Sequence, residues 1–233
     1  MPLRERPEPT FMKVSVSCLA EILSSPNRSI ASVLRAFKYP NLGEGAGRSA
    51  YYRRALNAIR KYHTGSNDKG IFDRAVAELQ KDIDEAQNRN DRIKCEKNIV
   101  AINLYKRVYG DRHFRILPNR RIAYRIGRVL ITAQPDLWVE ENGIQVLVKI
   151  GVSKKQISYI DILLTLIRKA AVSSGYRSVR PRNVVYLNVT TGHELICTAG
   201  LVRFNRTFKA VAREIARAWP NVHPGKQIEE TES

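Results

Sequence analysis

Cysteine is scarce in this chain. Cys18, Cys95 and Cys197 are three in 233 residues, far apart and without a C-x-x-C pair. That excludes a disulfide framework, offers no zinc-ligand spacing, and points to reduced thiols in a cytoplasm. Long apolar runs are missing as well. No segment approaches the ~20 consecutive apolar residues of a membrane-spanning helix, and the opening MPLRERPEPT carries charges and prolines with no apolar run behind it. Membrane insertion and secretion are therefore not expected. The third deficit is of acid: 22 Asp plus Glu face 40 Lys plus Arg, a formal net charge of +18. A polyanion gains favourable contacts and releases counterions on meeting so many cations, which predicts a nucleic-acid partner, DNA ahead of RNA. An anionic membrane surface selects a clustered basic helix, whereas the positive charge here is spread along the chain. Self-association into a homo-oligomer is left open by the sequence.

What is present suffices for a packed interior, since 43% of the residues are hydrophobic and 27% charged. Residues 1–10 read as a flexible arm and 223–233 as a polar tail. Between Ser17 and Tyr39 the apolar residues recur at helical spacing, with the sequence SSPN breaking them into two short helices. Such a pair suits a helix-turn-helix or, more commonly, two packed helices; no recognition-helix pattern follows it. Gly43, Gly45 and Gly47 match neither the spacing of a dinucleotide loop nor the ending of a Walker loop, so they read as a connector. In the helix predicted over 51–62, Arg53, Arg54, Arg60 and Lys61 lie among Tyr51, Tyr52 and Tyr62. That mix suits phosphate contact and base stacking, and equally a solvated helix with aromatic anchors.

Residues 70–109 are predicted helical, with EAQNRNDR marking a turn or an exposed stretch and Gly110 stopping the helix. Beyond it β-branched residues accumulate, which sets an expected boundary near residue 90: a helical region over 11–90, then an α/β part over 91–222. Three strand-like runs follow, RIAYRI (121–126), RVLITAQPDLWVEE (128–141) and IQVLVKIG (144–151), and Asn142-Gly143 is a strong two-residue hairpin signal. A helix over 157–171 and an apolar strand over 183–189 come next. The expected class is α/β: a helix, a three-stranded antiparallel meander, a helix and a strand. A C-terminal helix over 204–219 carries the stripe Phe208, Val211, Ile215 and Trp219, with Lys209, Arg213 and Arg217 on another face.

Pro135-Asp136, followed after the hairpin by Lys149, resembles the signature of the PD-(D/E)XK nucleases, and the order of elements over about 91–190 is similar to that family's core. The resemblance implies that Asp136 and an acid in the next strand hold Mg²⁺ or Mn²⁺ while Lys149 orients the attacking water. Side chains two apart on a strand share a face, so residues 147 and 149 both point toward Asp136. Position 147 departs from the pattern, since the family's D/E-x-K reads Leu147-Val148-Lys149. Two substitutes for the missing ligand are Gln145, on the face of Lys149, and Glu96, in the helix where family members carry an accessory acid. Glu140 and Glu141 lie too far along the hairpin. Gln156 and Tyr159 approximate the Q-x-x-x-Y of RecB-like members, with the Tyr one position early.

Apart from the resemblance, Lys149 among apolar neighbours calls for a carboxylate partner, and Asp136 is the natural one. Arg112, Arg115, Arg120, Arg121, Arg125 and Arg128 before the pair, and Lys154 and Lys155 after it, are expected to bracket a nucleic-acid site. Of these, Arg121 and Arg125 share a strand face. His113, His193 and His223 lack metal-ligand spacing, and His63 reads as a capping or surface histidine. The reading is a nucleic-acid-binding protein with a degenerate nuclease-like core. The alternatives are an active Mg²⁺-dependent endonuclease or exonuclease with a relocated acid, and a basic DNA-binding regulator unrelated to nucleases. Leu147→Glu is expected to restore metal affinity.

Overall fold

A computed structural model describes residues 11–39, 52–64, 68–118, 120–151, 157–189, 191–198 and 201–223. The arm, the connector glycines, Lys154, Lys155, Gln156 and the tail beyond residue 223 lie outside the described residues. In chain order the strands are β1 (Met12–Ser15), β2 (Arg115–Ile116), β3 (Ile122–Ile126), β4 (Val129–Ala133), β5 (Leu137–Glu141), β6 (Ile144–Gly151), β7 (Val184–Asn188) and β8 (Glu194–Ile196). The helices are α1 (Val16–Ser24), α2 (Ile30–Lys38), α3 (Arg53–Thr64), α4 (Gly70–Glu85), α5 (Arg89–Tyr109), α6 (Ile157–Ser173) and α7 (Leu201–Ala218). The fold is α/β.

Local chemistry places many of these boundaries. The Ser15 hydroxyl accepts from the Cys18 N–H at 3.1 Å and so caps α1, as Ser29 caps α2 through Ser32. Asn88 accepts from the Asp91 N–H at 2.8 Å, which makes EAQNRNDR the turn of an α4–α5 hairpin. Asn142 and Gly143 have φ of 51° and 74°, the left-handed pair that a tight β5–β6 hairpin requires.

The strands form two sheets, one in the order β1-β4-β3 and one in the order β2-β5-β6-β7-β8. In the first, β1 runs parallel to β4 and β3 antiparallel to it. In the second, β6 and β7 are parallel across the α6 crossover and the remaining neighbours are antiparallel. Alternation divides the larger sheet between two cores. Trp138, Leu147, Val184 and Tyr186 pack with α1, α2, α6, α7 and the small sheet, while Leu137, Val146, Val148, Ile150 and Leu187 pack with α3, α4 and α5.

Three expectations need correction. The run 128–141 is not one strand of a meander: it breaks at Gln134-Pro135-Asp136, with β4 in the small sheet and β5 in the large one. Pro135 has no N–H to give a ladder, which is a reason for the break at that point. Residues 11–90 do not form a separate helical region. β1 pairs with β4 and α1 packs on α6, while α3, α4 and α5 cover the second face of the large sheet. Burying those faces needs the C-terminal strands, so the cores cross the expected boundary. His63 is no surface residue, being 5% exposed. Its Nε2 lies 2.7 Å from the Tyr105 hydroxyl and its ring 4.6 Å from that of Phe114, because the end of α3 is seated on α5 and the chain before β2.

Candidate nucleic-acid interface

The hairpin register sets Leu137 opposite Val148, which brings Asp136, one residue before β5, beside Lys149. The Asp136 N–H donates to the Val148 carbonyl at 2.9 Å. Its Oδ2 accepts from the Ile150 N–H at 2.8 Å and meets the Lys149 ammonium at 2.9 Å. Arg60 of α3 donates from Nη2 to Oδ1 and from Nε to the Asp136 carbonyl, both at 3.2 Å. Both carboxylate oxygens are thus engaged. The Asp136 side chain is 10% exposed, against 25% for Lys149 and 43% for Arg60, so the cations have the solvent-facing part of the cluster.

Tyr186 is the β7 partner of Lys149. Burial, and then the negative charge of Asp136, push its phenol up to about 12. A Cβ at Gly151 would overlap the Tyr186 ring and hydroxyl, so glycine is needed there for the tyrosine to lie over the strand end.

Leu147 shares the face of Lys149 but is 1% exposed, opposite Trp138 and beside Val184 in the apolar core. Gln145 is exposed at the turn end of β6, opposite Glu140, and four residues before Lys149. Four residues are about 13 Å of strand, too far for one metal site. Glu96 is exposed on α5, off the face formed by Cys95, Asn98, Ile102 and Tyr105. Among the described residues neither Gln145 nor Glu96 bonds to Asp136, whose carboxylate is held by Lys149, Arg60 and the Ile150 N–H. No three His, Cys, Asp or Glu side chains among the described residues are grouped to share a metal ion. The donor set therefore does not fit Mg²⁺ or Mn²⁺, hard cations that want several free oxygens: one carboxylate is at hand, and two cations and an N–H hold it.

The basic residues divide into two groups. Arg112 and Arg115 are tied up in ion pairs, Arg112 with Glu141 and Glu194 and Arg115 with Glu140, each closest contact at 2.6 Å. Arg120, Arg121, Arg125 and Arg128 are exposed. Arg121 joins Lys149, Ser15, Ser17, Thr132 and Gln134 around a cavity of about 220 Å³ at the first turn of α1. Arg125 lies over the Phe11 ring at 5.1 Å, and the Arg128 carbonyl accepts from the Met12 N–H at 3.1 Å, tying β1 to the hairpin. The structure thus brings Asp136 together with Lys149 and Arg60, and sets Arg121 around the same small cavity as Lys149. Nothing in the sequence pairs Arg60 with Asp136, since 76 residues separate them.

No family model and no curated protein matches the chain. A solved structure described as "Crystal structure of SSO0001" is similar over 96% of this chain and 90% of that one, with a TM-score of 0.38 and 11% identity. A likeness at that level carries no conclusion about function.

Proposed function

We propose that this chain binds nucleic acid, DNA first among the candidates, through a nuclease-like core that serves as a docking surface and needs no metal. The observation that supports this best is the engagement of Asp136 by Lys149 and Arg60. Coordinating a divalent ion would require Asp136 to release one of them, and the second carboxylate is missing at Leu147. The cations keep donors for another anion. An ammonium has three N–H groups and a guanidinium five, of which Asp136 takes one from Lys149 and two from Arg60. Lys149 and Arg60 set two positive charges against the one of Asp136, Arg121 adds a third around the small cavity that Lys149 lines, and a phosphodiester is the complementary ligand.

Fluorescence anisotropy of labelled duplex DNA, single-stranded DNA and RNA, with EDTA and with Mg²⁺, tests the proposal. Binding is expected in EDTA. With about four phosphate contacts, duplex affinity falls about 100-fold between roughly 50 and 200 mM salt. Absence of binding at low salt overturns the reading. Metal-dependent cutting that Asp136→Ala and Lys149→Ala each abolish replaces it with an active nuclease.

A further inference from the structure

A second, larger cavity of about 760 Å³ opens at the other end of the β3–β4 hairpin from the one beside Lys149. Its floor includes Tyr124, Ile126 and Leu130, and three cations, Arg125, Lys169 and Lys209, stand around it; the other described lining residues are uncharged. The Lys169 ammonium lies 5.5 Å from the centre of the Tyr124 ring. Burial, and then the charge of Lys209, lower its affinity for a proton, so an anion here relieves a repulsion already present. An apolar floor under a cationic rim matches an amphipathic anion.

The outward face of the small sheet carries one wall of each cavity, and the larger cavity turns over the free edge of β3, with Arg125 and Leu130 on the outward side and Tyr124, Ile126 and Lys169 on the other. The register sets Arg125 opposite Leu130, Ala123 opposite Thr132, Lys13 beside Leu130 and Ser15 beside Thr132, so these side chains share one face with Arg121. Lys13, Arg121 and Arg125 are exposed there, and the apolar core lies on the opposite face, with Ile122, Tyr124 and Ile131. From Arg121 to Arg125 is about 13 Å along β3. The outer edge of β3 is closed to strand pairing at Ala123, whose N–H and carbonyl are both bonded by the Ser174 hydroxyl at 3.0 Å. A bound chain therefore does not pair with the β3 backbone at Ala123 and is held by side chains instead.

We infer that this face and the cavity at its β3 edge hold a short single-stranded segment of nucleic acid, with one phosphate in the cavity beside Lys149 and a base turned over the edge into the larger cavity between Lys169, Lys209 and Arg125. The inference rests on the nucleic-acid reading above and adds strand type and path to it. A duplex does not fit the larger cavity in this way, because its bases are stacked and their faces are not available to Phe11 and Leu130.

The test uses the full chain and a labelled oligothymidylate, with and without a central abasic residue, and two variants whose thermal melts are checked against wild type. Ser173→Trp puts an indole into the cavity where the base would lie and leaves its charges in place. It is expected to weaken binding of the intact strand on the order of tenfold and to leave the abasic strand unchanged. The pair Lys169→Ala and Lys209→Ala is expected to weaken both strands and to reduce the salt slope by about 1.4. Equal binding of the intact strand by wild type and both variants overturns the proposal, and so does equal weakening of intact and abasic strands by Ser173→Trp. If wild type binds no strand at low salt, the nucleic-acid reading fails, and saturation-transfer NMR with thymidine monophosphate decides the cavity separately. Transfer to the base protons that Ser173→Trp removes upholds a nucleotide site; no transfer overturns it.

Discussion

Asp136→Asn separates a docking surface from a metal site, because the two assign opposite signs to the same change. In the structure the Asp136 carboxylate stands against Lys149 and Arg60, so it also repels any phosphate those cations hold. Taking about 6 Å between that carboxylate and the phosphate, with an effective dielectric near 40, the repulsion is about 1.4 kcal/mol, or about tenfold in Kd. Asparagine keeps an oxygen for the Ile150 N–H and removes the charge. Its stability cost is small, about 1 kcal/mol, because Lys149 and Arg60 are both partly exposed. Asp136→Ala also leaves a buried N–H without its acceptor, and is expected to cost about 3 kcal/mol and about 6 to 12 °C in Tm. The assay is anisotropy with a DNA strand in EDTA and in Mg²⁺, beside a thermal melt. Tighter binding by Asp136→Asn in both buffers is the expected result. Weaker binding by the Asn variant, or binding by wild type that requires Mg²⁺, would refute the electrostatic reasoning.

Leu147→Glu buries a carboxylate against Trp138 where 1% of the leucine is exposed, so a loss of about 3 to 5 kcal/mol is expected in a denaturant melt, ahead of any gain in metal affinity. A variant as stable as wild type would show that position 147 opens toward Asp136 and not into the core. Arg112→Ala breaks contacts to Glu141 and Glu194 at the far end of the hairpin, and should lower Tm by several degrees while leaving the salt slope of DNA binding unchanged. Burial first of all pushes the phenols of Tyr109, Tyr159 and Tyr186 up to about 12, and the Cys18 thiol up to about 12. The unfolded chain releases these protons at lower pH, from about 9 to 10. Stability from these groups is therefore intact below about pH 9 and is lost as pH rises toward about 12. Circular dichroism with the tyrosinate absorbance should show phenol ionisation coinciding with unfolding; free titration in a folded chain would contradict the burial.

Local features were legible in the sequence because short-range chemistry determines them. Apolar spacing marked α4, α5, α6 and α7, and Asn142-Gly143 identified the β5–β6 hairpin. That turn settles the register, and the register alone brings Lys149 to Asp136, so their pairing was readable at a separation of thirteen residues. Alternation also put Leu147 on the face of Lys149, although how deeply that face is buried depends on Trp138, Val184 and the helices around them. Tertiary structure decided the rest. Met12–Ser15 is too short to show a strand period, and becomes β1 only by pairing with Val129–Thr132, more than a hundred residues on. The division of 128–141 between two sheets follows from which partner each half finds, and Arg60 reaches Asp136 because α3 packs against the second face of the large sheet. A hydrophobic period states that a face will be buried and does not state against what. Partners distant in sequence are selected by the closing of both cores together, and that selection assembled the cluster around Asp136 and the open cationic face beside it.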